Sequence, residues 1–173
     1  PEGIEVRVHP MLIPERHPLA SVNDSFNAVF VHGDAVDDAM FYGRGAGELP
    51  TASAVVGDIF DIARNLQYEC CGRISCTCYK QLQIKAMDDI CSKYFLRMLV
   101  ENEPGVLAAV TAVFGDRKVS IEQIIQKKKI GELAEIVVIT EKVKERHVKD
   151  SLKAFEEMEA VKKVSSEIRV YGE

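Results

Sequence analysis

A glycine-rich run at residues 41–58, FYGRGAGELPTASAVVGD, has the composition of a ligand-binding loop that leads into a helix. Gly43, Gly45 and Gly47 permit positive φ and carry no Cβ, so a ligand can approach the backbone closely. Pro50 suits the first position of a helix, whose free amides attract anions. The run therefore predicts a cradle for a phosphate or a carboxylate. Its spacing, G-x-G-x-G, differs from the dinucleotide fingerprint G-x-G-x-x-G, so a tight turn that needs glycine for geometry alone is the alternative.

The cysteines are the second group of residues that could bind a metal or carry redox chemistry. Four of the five are clustered, at Cys70, Cys71, Cys76 and Cys78. Thiolates bind zinc and iron–sulfur clusters, but the spacing C-C-x4-C-x-C lacks the paired C-x2-C knuckles of a zinc site. We therefore predict no metal site and interpret this stretch as a connector with free or buried thiols, with Cys91 serving only in packing. A metal-binding redox protein is the more distant alternative.

The histidines and the overall composition argue against several classes of function. The four histidines have no metal-ligand spacing on a helix, which favours structural or exposed roles; they are His9, His17, His32 and His147. The chain has 173 residues and a formal net charge of −5, which argues against a nucleic-acid partner. No apolar run approaches the roughly 20 residues of a membrane helix, and no secretion leader is present. We therefore expect a cytoplasmic protein.

Charge is distributed unevenly along the chain. Residues 1–79 hold 5 arginines and 11 acidic residues, and the remainder holds 17 basic and 16 acidic residues. This change in composition predicts two domains.

The second of these regions has a regular order of elements. Residues 94–101 alternate as a strand, with Leu96, Met98 and Val100 on one face, and apolar residues recur at helical spacing from Val106 to Phe114. Strands are predicted at 119–128 and 132–141 around a turn at Gly131, a helix at 145–158 and a last strand at 164–171. The order βαββαβ predicts an α+β fold, the ferredoxin-like sandwich with both helices on one face of an antiparallel sheet.

The first region resembles the catalytic region of homoserine dehydrogenases. Three segments carry the resemblance in order: VRVHPMLIPERHPLA at 6–20, FNAVFVHGDAV at 26–36, and the glycine run continued through PTASAVVGDIFDIAR. The resemblance implies strands of a substrate-binding sheet, then a loop beside the nicotinamide cofactor, then a helix that returns to the nucleotide-binding domain. It implies contacts to NAD or NADP at Gly43, Gly45, Ala46, Gly47 and Glu48.

The chain lacks other parts that the resemblance requires for catalysis. No strand followed by G-x-G-x-x-G opens the sequence, and the first lysine is Lys80, beyond the predicted helix. We therefore expect a C-terminal part of such an enzyme, whose catalytic residues and Rossmann domain lie upstream. Alone, the chain is expected to be inactive and to hold no cofactor tightly.

The second region resembles an ACT domain, a module that binds amino acids and regulates metabolic enzymes. The resemblance spans residues 93–173 and rests on VENEPGVLAAVTAVFGDRKVSIEQIIQ. It implies an effector site in which the amides of Gly105, Val106 and Leu107 hold a carboxylate and Asn102 accepts from the ammonium group. Ser120 and Ile121 would complete the site from a neighbouring subunit. The family often has Asp in place of Asn102, and this residue is alternatively a helix N-cap.

Together these observations predict three segments. Residues 1–66 would belong to the catalytic region, 67–92 would form a cysteine-containing connector, and 93–173 would form the ACT domain. The hypothesis is a homoserine dehydrogenase that interconverts homoserine and aspartate semialdehyde, with threonine as the expected effector and a homodimer or higher oligomer as the assembly. The alternative is a free-standing amino-acid sensor without catalysis.

Overall fold

The computed structural model describes residues 3–70 and 79–172. Its strands are β1 (Met11–Leu12), β2 (Phe26–Gly33), β3 (Asp37–Arg44), β4 (Cys91–Glu101), β5 (Ile121–Ile130), β6 (Leu133–Thr140), β7 (Val143–Lys144) and β8 (Val161–Val170). Its α-helices are α1 (Glu48–Gln67), α2 (Val106–Asp116) and α3 (Glu145–Glu157), and short 3-10 helices cover Pro18–Ser21 and Met87–Asp89. The chain divides into two compact units, one formed by residues 1–13 with 82–173 and the other by residues 14–81.

The first unit is built on one sheet with the order β1-β8-β4-β6-β5. All neighbours are antiparallel except β1, which lies parallel to the end of β8, and the short β7 pairs with the start of β4. The predicted βαββαβ order and the α+β class are confirmed. The first and last long strands each begin three residues earlier than predicted, at Cys91 and Val161, because backbone pairing extends past the apolar alternation.

The core of this unit lies between the sheet and helices α2 and α3. The side chains of Leu96 and Met98 are fully buried, as the alternation along the strand predicts. Phe114 of α2 and Phe155 of α3 meet edge to face with ring centroids 4.9 Å apart. This contact packs the C-terminal turn of α2 against α3.

The second unit contains a hairpin and a long helix. Strands β2 and β3 are antiparallel and pair from Phe26 with Arg44 to Gly33 with Asp37. Phe26 stacks on Tyr42 with ring centroids 4.8 Å apart. Helix α1 has no buried residue, and its apolar side chains stay exposed; for example, Ile59 and Phe60 are 58% and 59% accessible.

Two sequence-based expectations for the catalytic-type region need correction. Helix α1 begins at Glu48, so Pro50 is its third residue and not its first, because Gly47 at φ +122° is the residue that turns the chain into the helix. The segment at residues 6–20 is not a continuous strand. Its regular structure consists of the two-residue strand β1 and most of a 3-10 helix. Just upstream, Ile4 forms an isolated parallel bridge with Ile84.

Some predictions fall outside what the structure describes. Cys71, Cys76 and Cys78 are not among the described residues, whereas Cys70 is exposed and Cys91 is half-buried. The domain boundaries after residues 66 and 92 remain predictions. Within residues 3–70 and 79–172, none of the helices is both long and apolar enough to cross a membrane.

Candidate functional site

The loop between β4 and α2 is the predicted effector site. Gly105 is the N-cap of α2 and has a left-handed backbone with φ +92° and ψ −21°, a conformation that favours glycine. The Val106 amide donates to the Glu103 carbonyl at 3.3 Å. Among the described residues, the amides of Gly105 and Leu107 have no such partner. Two of the three predicted amides are therefore available to a carboxylate.

Asn102 does not cap the helix. Its side chain makes no cap hydrogen bond because Gly105 occupies the N-cap position, so the alternative interpretation of Asn102 as a cap is wrong. Its backbone amide donates to the Glu132 carbonyl at 3.0 Å. Its Oδ1 accepts a hydrogen bond from Nε2 of Gln126 at 3.2 Å. The loop is thus held to β5 through a pair of exposed side-chain amides.

Gln126 is a site residue that sequence reasoning missed. The register between β5 and β6 shifts between Gln126 and Lys128, which marks an irregularity of the β-bulge type. Gln126 itself keeps the regular alternation, since Ile124, Ile125 and Gln126 pair in step with Val138, Val137 and Ile136. The only signal in the sequence was a polar residue that ends the apolar run before the three lysines.

Ser120 and Ile121 lie away from this loop within one chain. Ile121 pairs with Thr140, whereas Leu133 pairs with Glu101, which directly precedes the loop. Thr140 and Leu133 are the two ends of β6, about 23 Å apart at roughly 3.3 Å per residue. The structure therefore brings Asn102 and Gly105 together but not Ser120, which can reach such a site only from another subunit.

The glycine loop has a different geometry at each glycine. A Cβ at Gly43 would meet nothing within 4 Å, whereas a Cβ at Gly45 would clash with the Asn27 side-chain amide and lie 3.2 Å from the Asn27 Cβ. Gly47 needs its positive φ. Gly45 and Gly47 therefore have structural reasons to be glycine, and Gly43 is the position where backbone is open to approach.

The charges around this loop do not favour a phosphate. Glu48 places an acidic group in the first turn of α1. Arg44 is engaged within the unit, since its Cζ lies 5.0 Å from the Phe26 ring centroid and its Nη1 donates to Ser25 Oγ at 3.3 Å. An anion at the helix N-terminus would meet the charge of Glu48, which opposes its binding, whereas Arg44 keeps its positive charge because its partners are a ring and a neutral hydroxyl. The phosphate or carboxylate cradle stays a prediction.

The strongest electrostatic perturbations lie in a buried network and not in either loop. Tyr94 and Arg169 both bind the carboxylate of Glu145, and the Arg169 Nη2 lies 2.6 Å from each of its oxygens. Burial, supported by Glu145, raises the pKa of Tyr94. Burial alone would raise the pKa of Glu145, but the hydrogen bonds from Arg169 and Tyr94 outweigh it and hold that pKa below its usual value. This network joins β4, α3 and β8.

Histidine and metal chemistry receive little support in the described part. His32 Nδ1 lies 2.8 Å from Asp38 Oδ1 on the exposed hairpin. His17 Nδ1 accepts from the Leu19 amide at 3.2 Å and so begins a 3-10 helix. Across residues 3–70 and 79–172, no three His, Cys, Asp or Glu side chains form a group that could hold a metal ion.

Comparisons with known proteins agree with both regions. The homoserine dehydrogenase family model matches residues 2–60, and the ACT domain model matches residues 94–160. Homoserine dehydrogenases of Neisseria gonorrhoeae and Bacillus subtilis are 43% and 41% identical to the chain, each over 98% of its length. The crystal structure of a homoserine dehydrogenase from Thiobacillus denitrificans superposes with a TM-score of 0.87 at 36% identity over 99% of the chain.

The chain matches only part of the length of these relatives. The chain spans 40% of each of the two curated relatives and 40% of the chain in the crystal structure. Similarity nevertheless runs through both units, from the hairpin and glycine loop to the ACT-type sheet. The chain therefore belongs to the homoserine dehydrogenase family and joins a segment of its catalytic region to an ACT domain.

Proposed function

We propose that the ACT domain binds a small amino acid, with threonine as the effector, at the β4–α2 loop. The observation that carries the proposal is the hydrogen bond between Asn102 and Gln126, which places two side-chain amides beside the start of α2. The ligand carboxylate would accept from the Gly105 and Leu107 amides, with support from the helix dipole.

The ammonium group of the ligand would donate to the side-chain oxygens of the same pair. Oδ1 of Asn102 already accepts from Gln126, but a carbonyl oxygen has a second lone pair, and Oε1 of Gln126 adds another acceptor. Because Asn102 carries no formal charge, this site relies on hydrogen bonds where an Asp would add an ion pair. Leu107 is 44% exposed at the first turn of α2 and would contact the ligand side chain.

We further propose that a second subunit completes the site. Ser120 and Ile121 are too far from Asn102 in one chain, so they would contribute from the neighbour in a homodimer or higher oligomer. The sheet supports this assembly, because its face opposite the helices carries half-buried apolar side chains such as Phe95, Leu99 and Ile139.

For the whole protein we propose interconversion of homoserine and aspartate semialdehyde with NAD or NADP, in the cytoplasm. The cofactor would supply the hydride acceptor or donor. In this chain, residues 43–48 would line the nicotinamide end, which carries no phosphate, since Gly43 leaves its backbone open and Glu48 disfavours a phosphate. The residues that move the proton and the Rossmann domain that holds the pyrophosphate would lie in the upstream part, and this chain alone would be inactive.

A thermal-shift experiment tests the effector site. Threonine should raise the melting temperature of the unmutated chain, because a ligand that binds only the folded state stabilises it. Asn102→Ala and Gln126→Ala should each remove most of that shift. Gln67→Ala, which deletes an exposed amide side chain at the end of α1, is the matched control and should keep it.

Two results would contradict the proposal. The first is the absence of a shift with threonine and every other small amino acid, which would leave the ACT domain as a structural element. The second is a full shift in both Asn102→Ala and Gln126→Ala, which would place the ligand elsewhere. Homoserine-dependent reduction of NAD or NADP by this chain alone, above a buffer blank, would separately refute its expected inactivity.

A further inference from the structure

A cavity of about 830 Å³ opens at the other end of β4 from the effector loop. It lies in the unit formed by residues 1–13 and 82–173, where β1, β7 and the end of β8 meet the start of β4. Ten residues of β4 separate its lining residue Cys91 from Glu101, a span of about 33 Å at roughly 3.3 Å per residue. The cavity is therefore distinct from the β4–α2 loop, and no proposed function above uses it.

Basic side chains dominate the charge of this cavity. Among residues 3–70 and 79–172, its lining has four cationic groups and two acidic groups, namely Arg7, Lys85, Lys142, Lys144, Glu5 and Asp89. The chain as a whole has a net charge of −5. The local excess of positive charge is therefore opposite in sign to that of the protein.

The two carboxylates are already shared among more than one cation each. Glu5 lies 3.5 Å from Arg7 and 3.1 Å from Lys85. Asp89 contacts Lys144 at 3.2 Å and also binds Arg146. Each carboxylate neutralises only one unit of positive charge, so part of the charge of Arg7 and of Lys144 stays available to an external anion.

Lys142 provides the least compensated cation. Within residues 3–70 and 79–172 it forms no ion pair or side-chain hydrogen bond, and it is exposed at the cavity wall. Adjacent strand pairing holds its surroundings in place, because Ser92 pairs with Val143 and Cys91 with Lys144. The lysines of this segment are thus carried on a fixed backbone and not on a free loop.

The guanidinium of Arg7 is also held before any ligand binds. Its Nη1 donates to Ser92 Oγ at 2.5 Å, and Ser92 is only 6% exposed. An arginine whose fork is already oriented loses less side-chain freedom on binding an oxyanion. The cavity therefore combines one preorganised guanidinium with flexible lysines around the same space.

From this arrangement we propose that the cavity binds a small organic anion that carries two or more phosphate or carboxylate charges. A volume of 830 Å³ lies within the range of small-molecule sites, roughly 300–1,000 Å³. A monovalent anion such as chloride would gain little, because surface charges are strongly screened at physiological ionic strength. A multivalent oxyanion can contact Arg7 and the lysines together.

Inorganic phosphate and citrate are the probes, each compared with sodium chloride at matched ionic strength. Binding to the 173-residue chain should be measured by calorimetry and by amide chemical shifts in NMR. At least one of the two probes should change the amide chemical shifts of residues 89–92, 142–144 and 170–172. The amide shifts of residues 102–107 should stay unchanged. A response to phosphate alone identifies a phosphorylated ligand, and a response to citrate alone identifies a polycarboxylate.

Substitutions then test which cations are responsible. Lys142→Ala should weaken binding severalfold, and Lys142→Glu should abolish it, without a change in fold because Lys142 has no partner within the described chain. The control is Lys129→Ala, which removes an exposed lysine from the hairpin end of β5. Equal affinity in Lys142→Glu and Lys129→Ala would overturn the proposal, as would amide changes confined to other regions or no binding of either probe.

Discussion

The hydroxyl of Tyr94 donates a 2.6 Å hydrogen bond to Oε2 of Glu145, and both residues are buried, at 0% and 5% exposure. Tyr94 lies on β4 and Glu145 is the first residue of α3. Because Arg169 of β8 binds the same carboxylate, the three side chains connect the neighbouring strands β4 and β8 to helix α3. This relationship gives the first two predictions.

Tyr94→Phe should destabilise the chain by about 1.5–3 kcal/mol, because a buried hydrogen bond to a charged group is lost while the ring still packs. Urea denaturation of the unit that contains β4 is the measurement. Tyr68→Phe, in which the side chain is 73% exposed, is the control and should change stability little. A loss no larger than that of the control would mean that the hydroxyl adds nothing.

Glu145 should make stability depend on pH in the acid range. Burial opposes its charge, but hydrogen bonds from Arg169 and Tyr94 prevail, so its folded pKa lies below the usual value of 4.5 for a glutamate. The unfolded state therefore binds the proton more tightly, and the stabilisation present above pH 4.5 is lost as pH falls through the folded pKa. Glu145→Gln should be less stable at neutral pH, and its deficit should shrink toward pH 3.

Glu167 offers an internal comparison of opposite sign. Partial desolvation raises its pKa above the usual value of 4.5, so its contribution is present below that value and is lost as pH rises through the folded pKa. Because Glu167 is exposed and solvent screens its charge, Glu167→Gln should gain only a little stability at neutral pH. Parallel acid denaturation curves for Glu145→Gln and Glu167→Gln would contradict both assignments.

Gly45→Ala should destabilise the hairpin unit by up to about 1 kcal/mol, because the end of the exposed Asn27 side chain can move away but its Cβ stays 3.2 Å from the new methyl group. The reason is the close approach of Asn27, so the double variant Asn27→Ala with Gly45→Ala should recover much of the loss. Gly43→Ala is the control, since its Cβ would meet nothing within 4 Å. Thermal unfolding of all four chains provides the test, and no recovery in the double variant would exclude Asn27 as the cause.

The ACT sheets should pair between chains at micromolar concentration. Sedimentation equilibrium should show a dimer or a larger assembly, because the sheet leaves an apolar face partly uncovered. Ile125→Glu should shift the equilibrium toward monomer, since Ile125 is 38% exposed and pairs with Val137 on that face. Ala112→Glu, which adds the same charge at an exposed position of α2 on the other side of the sheet, is the control. A monomer in the unmutated chain would count against both the dimer and a role for Ser120.

The periodicity of the sequence was enough to predict the ferredoxin-like βαββαβ fold of the second region. Alternation at Leu96, Met98 and Val100 and helical spacing at Val110 and Phe114 are local signals, because each residue reports the face of its own strand or helix. The faces buried in the structure are the predicted ones. The resemblance to homoserine dehydrogenases and to ACT domains likewise rested on contiguous motifs and was confirmed.

Contacts that depend on register could be decided only by the tertiary structure. Gln126 meets Asn102 because the register of β5 on β6 pairs Gln126 with Ile136, and a one-residue change of register would move its side chain to the other face of the sheet. Gly45 is a glycine because the neighbouring strand brings Asn27 against it, which no spacing within the glycine run reveals.

The residues of the charged cavity likewise could not be predicted from the sequence. Arg7 and Ser92 are 85 residues apart in sequence, and Lys142 reaches the same space only because β7 pairs with β4. Nothing in the sequence around these residues marks them as neighbours, because a local pattern cannot show which distant side chains line the same cavity. The sequence alone therefore determined the elements and the family, and the pairing of distant strands decided which residues form each site.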